Sequence, residues 1–483
     1  MAEKEESEVG ITVKKSDDFS EWYQQLIIKS GLADYSSVSG CIVFRPDSYD
    51  IWEKIKSKVD SDFRKSGIRN CYFPLFIPER LLKKESEHME GFSPEVAWVT
   101  ESGDTKLNER LAIRPTSETI MYESFSKWIR SWRDLPLRLN QWNNVVRWEF
   151  KHPVPFLRTR EFLWNEGHTV FASKQEAEAE ADEIISIYKD VTENYMALPA
   201  LIGRKTDKEK FAGAEYTISF EHVLPNGKAI QGPDFHHDGQ NFAKAFDIKF
   251  INKAENLEFA YQNTFAITTR MIGIMVAVHS DDKGLVLPPM LAPTQIVIVP
   301  IIFEKTKEAT LKKAKELKDA LKQFSVILDD RDEYSAGWKF NEWELKGVPL
   351  RLEIGPKDIE KRQVMLVRRD TSKKQPVPIA DLKDTVKEVL DDIQKSLFDK
   401  AKKLMHDTVV EASNFEQLKN AVDNNKIVLA PYCDNSECED LIKDKAGGAK
   451  ALNIPLKQPS IKGKKCVYCG KEASFMVYFG KSY

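Results

Sequence analysis

Between Phe19 and Pro289, strand-like apolar runs are mixed with helical patterns, but the two do not alternate regularly. That order argues for an antiparallel sheet with helices packed on it, an α+β arrangement. Tyr49 to Phe63 sets Ile51, Ile55, Val59 and Phe63 four residues apart, the stripe of an amphipathic helix. Ser117 to Trp132 and Lys174 to Met196 read similarly, the latter with acidic outward positions. Arg138 to Phe150 and Ala260 to Phe265 read as strands. Leu287-Pro288-Pro289 and Ala292-Pro293 then break the pattern. Beyond them Ile296 to Ile302 is a continuous apolar strand. A helix follows with Ala314, Leu317, Ala320, Leu321 and Phe324 on one face, and then short strands at Val326–Leu328, Leu350–Ile354 and Val364–Val367. This is a small α/β domain. The expected organisation is a charged, mobile tail over residues 1–18, an α+β domain over 19–292, an α/β domain over 293–400 and a third unit over 401–483.

A chain of 483 residues exceeds one ordinary core, and its 42% hydrophobic and 30% charged content fits a soluble globular protein. No apolar run approaches the roughly 20 residues that span a bilayer. The start, Met1 to Gly10, has neither a basic nor an apolar segment, which excludes a secretory signal and makes the cytoplasm the expected location. With a net charge of −3 the chain is no bulk polyelectrolyte trap for nucleic acid, and any RNA binding would have to come from local basic patches. Cys41 and Cys71 stand singly in apolar surroundings and read as buried small hydrophobes. Cys433, Cys438, Cys466 and Cys469 crowd near the end in a C-x₄-C and C-x₂-C pattern, a tetrahedral set for structural Zn²⁺ in a unit with little core of its own, free buried thiols being the alternative.

Chemistry concentrates between Asn144 and His168. Arg147-Trp148-Glu149 leads into a proline-punctuated turn, and Arg158, Arg160, Glu161, Phe162 and Trp164 return from it. Guanidinium groups grip phosphate bidentately and aromatic rings stack on a base, so the stretch suits a nucleotide. Arg114-Pro115-Thr116-Ser117-Glu118 sets a hydroxyl and a carboxylate two positions apart before a helix, which is also what a capped helix start looks like. Ala229 to Phe242 carries Gln231, Asp234, His236 and His237, a polar set hard to bury without a ligand, although a polar hairpin end with satisfied histidines would read the same way. Thr268-Thr269-Arg270 opens an apolar helix, where an arginine is poorly placed for the dipole unless a phosphate lies there too.

Together these residues resemble the class II aminoacyl-tRNA synthetases, specifically the prolyl family, from about Trp22 to Tyr483. Gly67 to Pro74 matches the family's first motif, Arg147 to Glu149 with Arg158 to Phe162 the second, and Thr268 to Arg270 the third. The run from Gly337 to Asp358 adds specificity. The resemblance implies a homodimer through the first motif, and ATP-dependent activation of L-proline followed by transfer to proline tRNA. Arg147 and Arg270 would be catalytic. Arg147, Glu149, Arg158, Thr159, Phe162, Gln231, Asp234, Thr268 and Arg270 would bind ATP, with Gln231 helping to hold Mg²⁺. Phe92, Thr116, Glu118, Arg147, Trp164, His168, Phe211 and His236 would bind proline.

Phe340, Glu344, Arg351, Lys357 and Asp358, with Lys339 and Lys346 nearby, would read the anticodon by stacking and edge hydrogen bonds, although the same residues also suit a solvated helix face. Tyr483 matches a terminal tyrosine directed toward the active site. The segment Thr169 to Ile230 is too short for the editing insertion of many bacterial relatives, so no alanyl-tRNA hydrolysis is expected. Two positions depart from the family: Phe265-Ala266 replaces Trp-Gly, and Asp234 stands where threonine is common. A synthetase-derived tRNA-binding protein without activation would lack the phosphate arginines or the pocket, and Arg147, Arg270, Thr116 and Glu118 are present. A threonine-specific relative would need zinc ligands in the core, and the matching positions do not supply them.

Overall fold

The computed structural model describes residues 10–88, 95–149 and 152–483. Amphipathic spacing forms the first helices, α1 (Phe19–Lys29) and α2 (Pro46–Lys65). Asp18 caps α1 by accepting from the Ser20 and Glu21 N–H groups. In α2 the stripe Ile51, Ile55, Val59 and Phe63 is buried. There follow β1 (Arg69–Asn70), α3 (Glu118–Trp128), β2 (Leu137–Val146) and β3 (Glu161–Phe171). Next come α4 (Lys174–Asp190), which runs into a π-helical turn at Val191–Tyr195, then β4 (Leu201–Arg204), β5 (Tyr216–Val223), β6 (Ala229–Gly239), β7 (Tyr261–Thr268) and α5 (Arg270–His279). These strands lie in the order β4-β5-β6-β7-β3-β2-β1, antiparallel except for the short β1–β2 pair. The antiparallel sheet expected from the irregular order of elements is therefore present.

Strand alternation divides the sheet into two unlike faces. On one, Phe265 of β7 packs with Phe63 of α2 (ring centroids 5.5 Å), Tyr188 of α4 (6.4 Å) and Phe235 of β6 (6.4 Å). Gly167 of β3 lies against this ring, where an added Cβ would come within 2.0 Å of it, so only glycine fits. Truncating a buried phenylalanine such as Phe63 typically costs about 3–5 kcal/mol. The opposite face, with Phe162, Trp164 and Glu166 of β3, is left for the site.

Past the proline break lie β8 (Ile296–Pro300), α6 (Lys307–Ala320), β9 (Val326–Leu328), α7 (Ala336–Leu345), β10 (Leu350–Ile354), β11 (Gln363–Arg368), β12 (Lys374–Pro378) and the long α8 (Leu382–Thr408). Their sheet runs β9-β8-β10-β11-β12, parallel across the first three strands and antiparallel after. Ile298, Leu317, Leu352, Leu366 and Val386 belong to its core.

The remainder holds β13 (Val409–Glu411), β14 (Ile427–Tyr432), α9 (Ser436–Lys445), β15 (Lys450–Pro455) and β16 (Phe475–Gly480). Their order, β13-β14-β16-β15, continues into β4 through Ile454↔Arg204 and Pro455↔Gly203, which makes one sheet of eleven strands. The backbones are so close there that a Cβ on Gly203 would lie 2.3 Å from the Ile454 carbonyl oxygen.

Several expectations need correction. The C-terminal unit has a core of its own, including Leu418, Val422, Val428, Tyr432, Ile442 and Phe479. Residues 10–18 are not a free tail: the Lys15 N–H donates to Asp282 (2.7 Å), its ammonium to the Ser280 carbonyl (2.8 Å), and Ile11 packs on the main core. Residues 1–9 of the expected tail lie outside the described residues. Cys41 and Cys71 are only partly buried. β2 ends at Val146, short of the Phe150 expected: the Arg147 N–H still bonds the Arg160 carbonyl in register (2.8 Å), but the Arg160 N–H turns to the Gly40 carbonyl (2.8 Å) and the Trp148 N–H to the Glu95 carbonyl (3.0 Å). Of the acidic α4 positions, Glu180 is buried against Arg138 (2.8 Å).

Candidate active site

A cavity of about 340 Å³ opens on the polar face of the sheet, lined from β3, β6 and β7 and from the loops around them. It gathers the residues that the sequence scatters: Thr116, Glu118, Arg147, Thr159, Phe162, Trp164, Phe211, Gln231, Asp234, His236, Thr268 and Arg270 all line it.

One end is cationic. The Arg147 Nε donates to the Pro115 carbonyl (3.0 Å), and its guanidinium lies 5.5 Å from the Phe162 ring and 5.4 Å from the Trp164 ring. Trp164 is fixed in turn by its indole N–H on Asn143 Oδ1 (2.5 Å). Arg270, on the first turn of α5, donates to the Leu157 and Gln231 carbonyls (3.1 Å each). Burial, with Arg147 and Arg158 close by, lowers the hold of Arg270 on its proton. Guanidinium groups crowded at a buried helix start favour an anion between them. Arg158 and Glu149 are both exposed and stand outside the cavity lining.

The other end is acidic. Thr116 Oγ1 donates to Glu166 (2.7 Å) and contacts Glu118, and the Ser117 N–H also donates to Glu166 (2.7 Å). His168 Nε2 stands 3.4 Å from Glu166, while its Nδ1 meets the Tyr122 hydroxyl (3.0 Å). Two buried carboxyls this close divide their roles. Burial and the charge of Glu166 raise the Glu118 pKa, whereas His168, Ser117 and Thr116 overcome the burial of Glu166 and hold it at about 2. An ammonium suits this end. His168 stands behind Glu166, fully buried, rather than forming a cavity wall as expected. Phe92 lies outside the described residues.

Between the two ends, His236 bonds Thr217 Oγ1 through Nδ1 (2.8 Å) and meets the Phe211 ring (4.8 Å). Gln231 Nε2 donates to Asp234 Oδ2 (2.8 Å), which leaves the Gln231 amide oxygen and Asp234 Oδ1 as hard donors fit for Mg²⁺. Ala266 lines the cavity opposite Asp234 and Glu166 in the register. Sequence reasoning missed Glu166, Lys205, Glu209 and Lys210, which also line it. Glu166 was readable: it shares a strand face with Phe162 and Trp164 at intervals of two. Lys205 is locked in a buried ion pair with Glu221 (2.6 Å).

The anticodon candidates are less open. Arg351 stacks on Phe340 (4.2 Å) and bonds Glu353 (3.1 Å), Glu344 pairs with Lys283 (3.2 Å), and Asp358 accepts from the Gly355 N–H (3.0 Å). Lys339 is buried on the Asp329 carbonyl (3.2 Å), Lys346 pairs with Glu342 (2.9 Å), and Lys357 is exposed. Tyr334 and Trp338, stacked at 3.9 Å beside Arg331, form an aromatic platform nearby that sequence reasoning missed.

In the C-terminal unit, Cys433, Cys438, Cys466 and Cys469 bring their sulfurs within 4.8 Å of one another, with Cys433 3.7 Å from Cys438 and 3.6 Å from Cys469. Bonds of about 2.3 Å to one tetrahedral Zn²⁺ imply sulfurs about 3.8 Å apart. Tyr483 is partly buried against the main core, with its N–H on the Ala229 carbonyl (2.9 Å) just before Gln231, although it is not among the lining residues. Among the described residues no helix is long and apolar enough to cross a membrane.

Three family models match the chain: the tRNA synthetase class II core domain (G, H, P, S and T) over residues 98–279, an anticodon binding domain over 295–389, and the prolyl-tRNA synthetase C-terminal model over 415–483. The proline–tRNA ligase of Ruminiclostridium cellulolyticum is 50% identical over 470 residues, 97% of each chain. The cytoplasmic proline–tRNA ligase of Arabidopsis thaliana is 45% identical, covering 99% of this chain and 92% of that one. A crystal structure of prolyl-tRNA synthetase from Cryptosporidium parvum, complexed with halofuginone and AMPPNP, superposes with a TM-score of 0.96 at 45% identity, over 98% of this chain and all of that one.

Proposed function

The chain belongs to the prolyl-tRNA synthetases, ligases that charge tRNA with proline at the expense of ATP, and from that premise we propose how its cavity divides the work. ATP occupies the cationic end and proline the acidic end. The proline carboxylate attacks the α-phosphate; the bond to the β-phosphate breaks, giving prolyl-adenylate and pyrophosphate. The terminal ribose hydroxyl of proline tRNA then attacks the prolyl carbonyl and displaces AMP. Arg147 stabilises the charge that builds on the α-phosphate, since a fixed cation there acts on the transition state itself. Arg270 holds the polyphosphate and covers the adenine opposite Phe162, with Thr159 and Thr268 alongside. Arg158 and Glu149, exposed outside the cavity lining, would reach the γ-phosphate and the adenine edge. Glu118 and Thr116 receive the proline nitrogen, and Trp164, Phe211 and His236 enclose its ring. Mg²⁺ held by Gln231 and Asp234 would neutralise phosphate charge.

The observation that carries this reading is the meeting of Arg147 and Arg270 with Thr116, Glu118 and Glu166 in one cavity. ATP–pyrophosphate exchange measured across the amino acids tests it. Exchange with proline alone is expected; exchange with another amino acid, or with none, would overturn it.

The remaining roles follow the same premise. The unit over residues 293–400 reads the anticodon through Phe340, Glu344, Arg351, Lys357 and Asp358. The four cysteines hold one structural zinc, which elemental analysis of the purified chain should find at one ion per chain. The domains divide at about residue 292 and, because α8 runs unbroken to Thr408, near residue 408 rather than the 400 expected. A cytoplasmic homodimer forms through the first motif, where Tyr72 leaves 69% of its surface exposed. Tyr483 supports the Gln231 strand from behind. The absence of an editing insertion leaves alanyl-tRNA intact in the presence of the enzyme.

A further inference from the structure

We propose that Asp440 and Lys450, on the C-terminal unit, are positioning residues for the proline end of the cavity, and that they act through the loop Thr206–Phe211. This inference rests on the proline pocket assigned above.

The loop joins β4 to β5 and supplies Glu209, Lys210 and Phe211 to the cavity lining. On the catalytic side its anchors lie at its ends. The Lys205 N–H bonds the Thr217 carbonyl (2.8 Å), the Phe211 N–H bonds Thr217 Oγ1 (3.0 Å), and the Lys210 ammonium reaches the Glu215 carbonyl (3.2 Å). The residues between turn on themselves, with the Glu209 and Lys210 N–H groups on the Thr206 carbonyl.

Three side chains of the loop instead find partners on the C-terminal unit. Lys208 pairs with Asp440, Glu209 pairs with Lys450 (3.0 Å), and Thr206 Oγ1 donates to buried Glu439 (3.4 Å). Glu439 and Asp440 follow Cys438 on the first turns of α9, and the Tyr432 hydroxyl holds the Glu439 carboxyl from the other side (3.4 Å). Lys450 begins β15, the strand that joins the catalytic sheet. Two elements of one unit therefore grip consecutive loop residues, just before the Phe211 ring that rests on His236 (4.8 Å). The nucleotide end is held differently: Arg147 and Arg270 bond Pro115, Leu157 and Gln231, all within the catalytic sheet and its loops.

This asymmetry predicts a selective effect. In an Asp440→Asn, Lys450→Met double variant, the KM for proline in ATP–pyrophosphate exchange should rise about fivefold, the scale of two part-exposed ion pairs. The KM for ATP, kcat and the thermal midpoint should stay within about twofold or a few degrees of the parent. Calorimetric titration with proline should show the same loss of affinity without turnover. In a second protein, exchanging the charges of one pair (Lys208→Asp with Asp440→Lys) should bring the proline KM back toward the parent value relative to Asp440→Lys alone. An unchanged proline KM overturns the inference. So does a parallel rise in both KM values with a fallen midpoint, which is the signature of a merely structural contact. Failure of the parent chain to exchange with proline would instead remove the pocket assignment itself.

Discussion

In the cavity, charged groups are gathered with few counterparts, whereas in the α/β unit the same kinds of side chain are largely satisfied by one another. Asp234 Oδ1 and Glu166 Oε2 are buried without a hydrogen-bond partner, and Arg270 is crowded by Arg147. By contrast, Arg351 already has Phe340 and Glu353, Glu344 has Lys283, and Asp358 caps its own turn. The first arrangement is preorganised for a small ligand, because desolvation is largely complete before it arrives. If the second reads an anticodon as proposed, it exchanges internal partners for bases, so each hydrogen bond formed to RNA is offset by an internal one released. Single substitutions should therefore act strongly in the cavity and weakly in the α/β unit.

Arg147→Ala gives the largest expected effect, a fall of about 10²–10³ in kcat for ATP–pyrophosphate exchange with the circular dichroism spectrum retained. A loss under tenfold would remove the contrast between the regions. Glu118→Gln comes next. Its KM for proline should rise about ten- to a hundredfold while the KM for ATP holds, the scale of a hydrogen bond to a charged group. The pH dependence sharpens this. Burial, then Glu166, raises the Glu118 pKa, so on acidification Glu118 takes up a proton before an ordinary carboxyl does. Proline binding should then weaken as the pH falls, and Glu118→Gln should lose that part of the profile. Arg351→Ala should lower kcat/KM for tRNA charging about tenfold and leave pyrophosphate exchange within about twofold. Equal loss of both activities would show that the α/β unit shapes the cavity. Ala266→Gly should be smallest, about a twofold change in the proline KM, because one methyl is removed from a partly open wall.

The sequence made some of this legible and hid the rest for physical reasons. Arg147, Arg270, Thr116 and Glu118 stand out because each lies in a dense polar stretch beside an apolar element, and their neighbours are fixed by local backbone. The irregular order of elements was enough for the antiparallel sheet. Glu166 was missed although legible, since the period of two that sets it beside Phe162 and Trp164 was not followed along the strand. Phe265 looked like a departure in the pocket, but its ring belongs to the core, under Gly167. The docking of residues 10–18 rests on Lys15 meeting Ser280 and Asp282, which no periodicity encodes. Lys208 and Asp440 were likewise invisible as a pair, since nothing local marks an ion pair between distant segments.

The seam between β4 and β15 bears on how the chain is made. The Asn453 side chain donates to the Leu201 carbonyl (2.8 Å) from 252 residues away in sequence. During synthesis β4 emerges long before its partner, and an unpaired strand edge is a template for other chains. The strand limits that hazard by being four residues long and by ending on exposed Arg204. A ribosome paused before Lys450 would thus hold a nascent chain with most of its antiparallel sheet formed but one border open, a species for chaperones to shield until the last strands arrive.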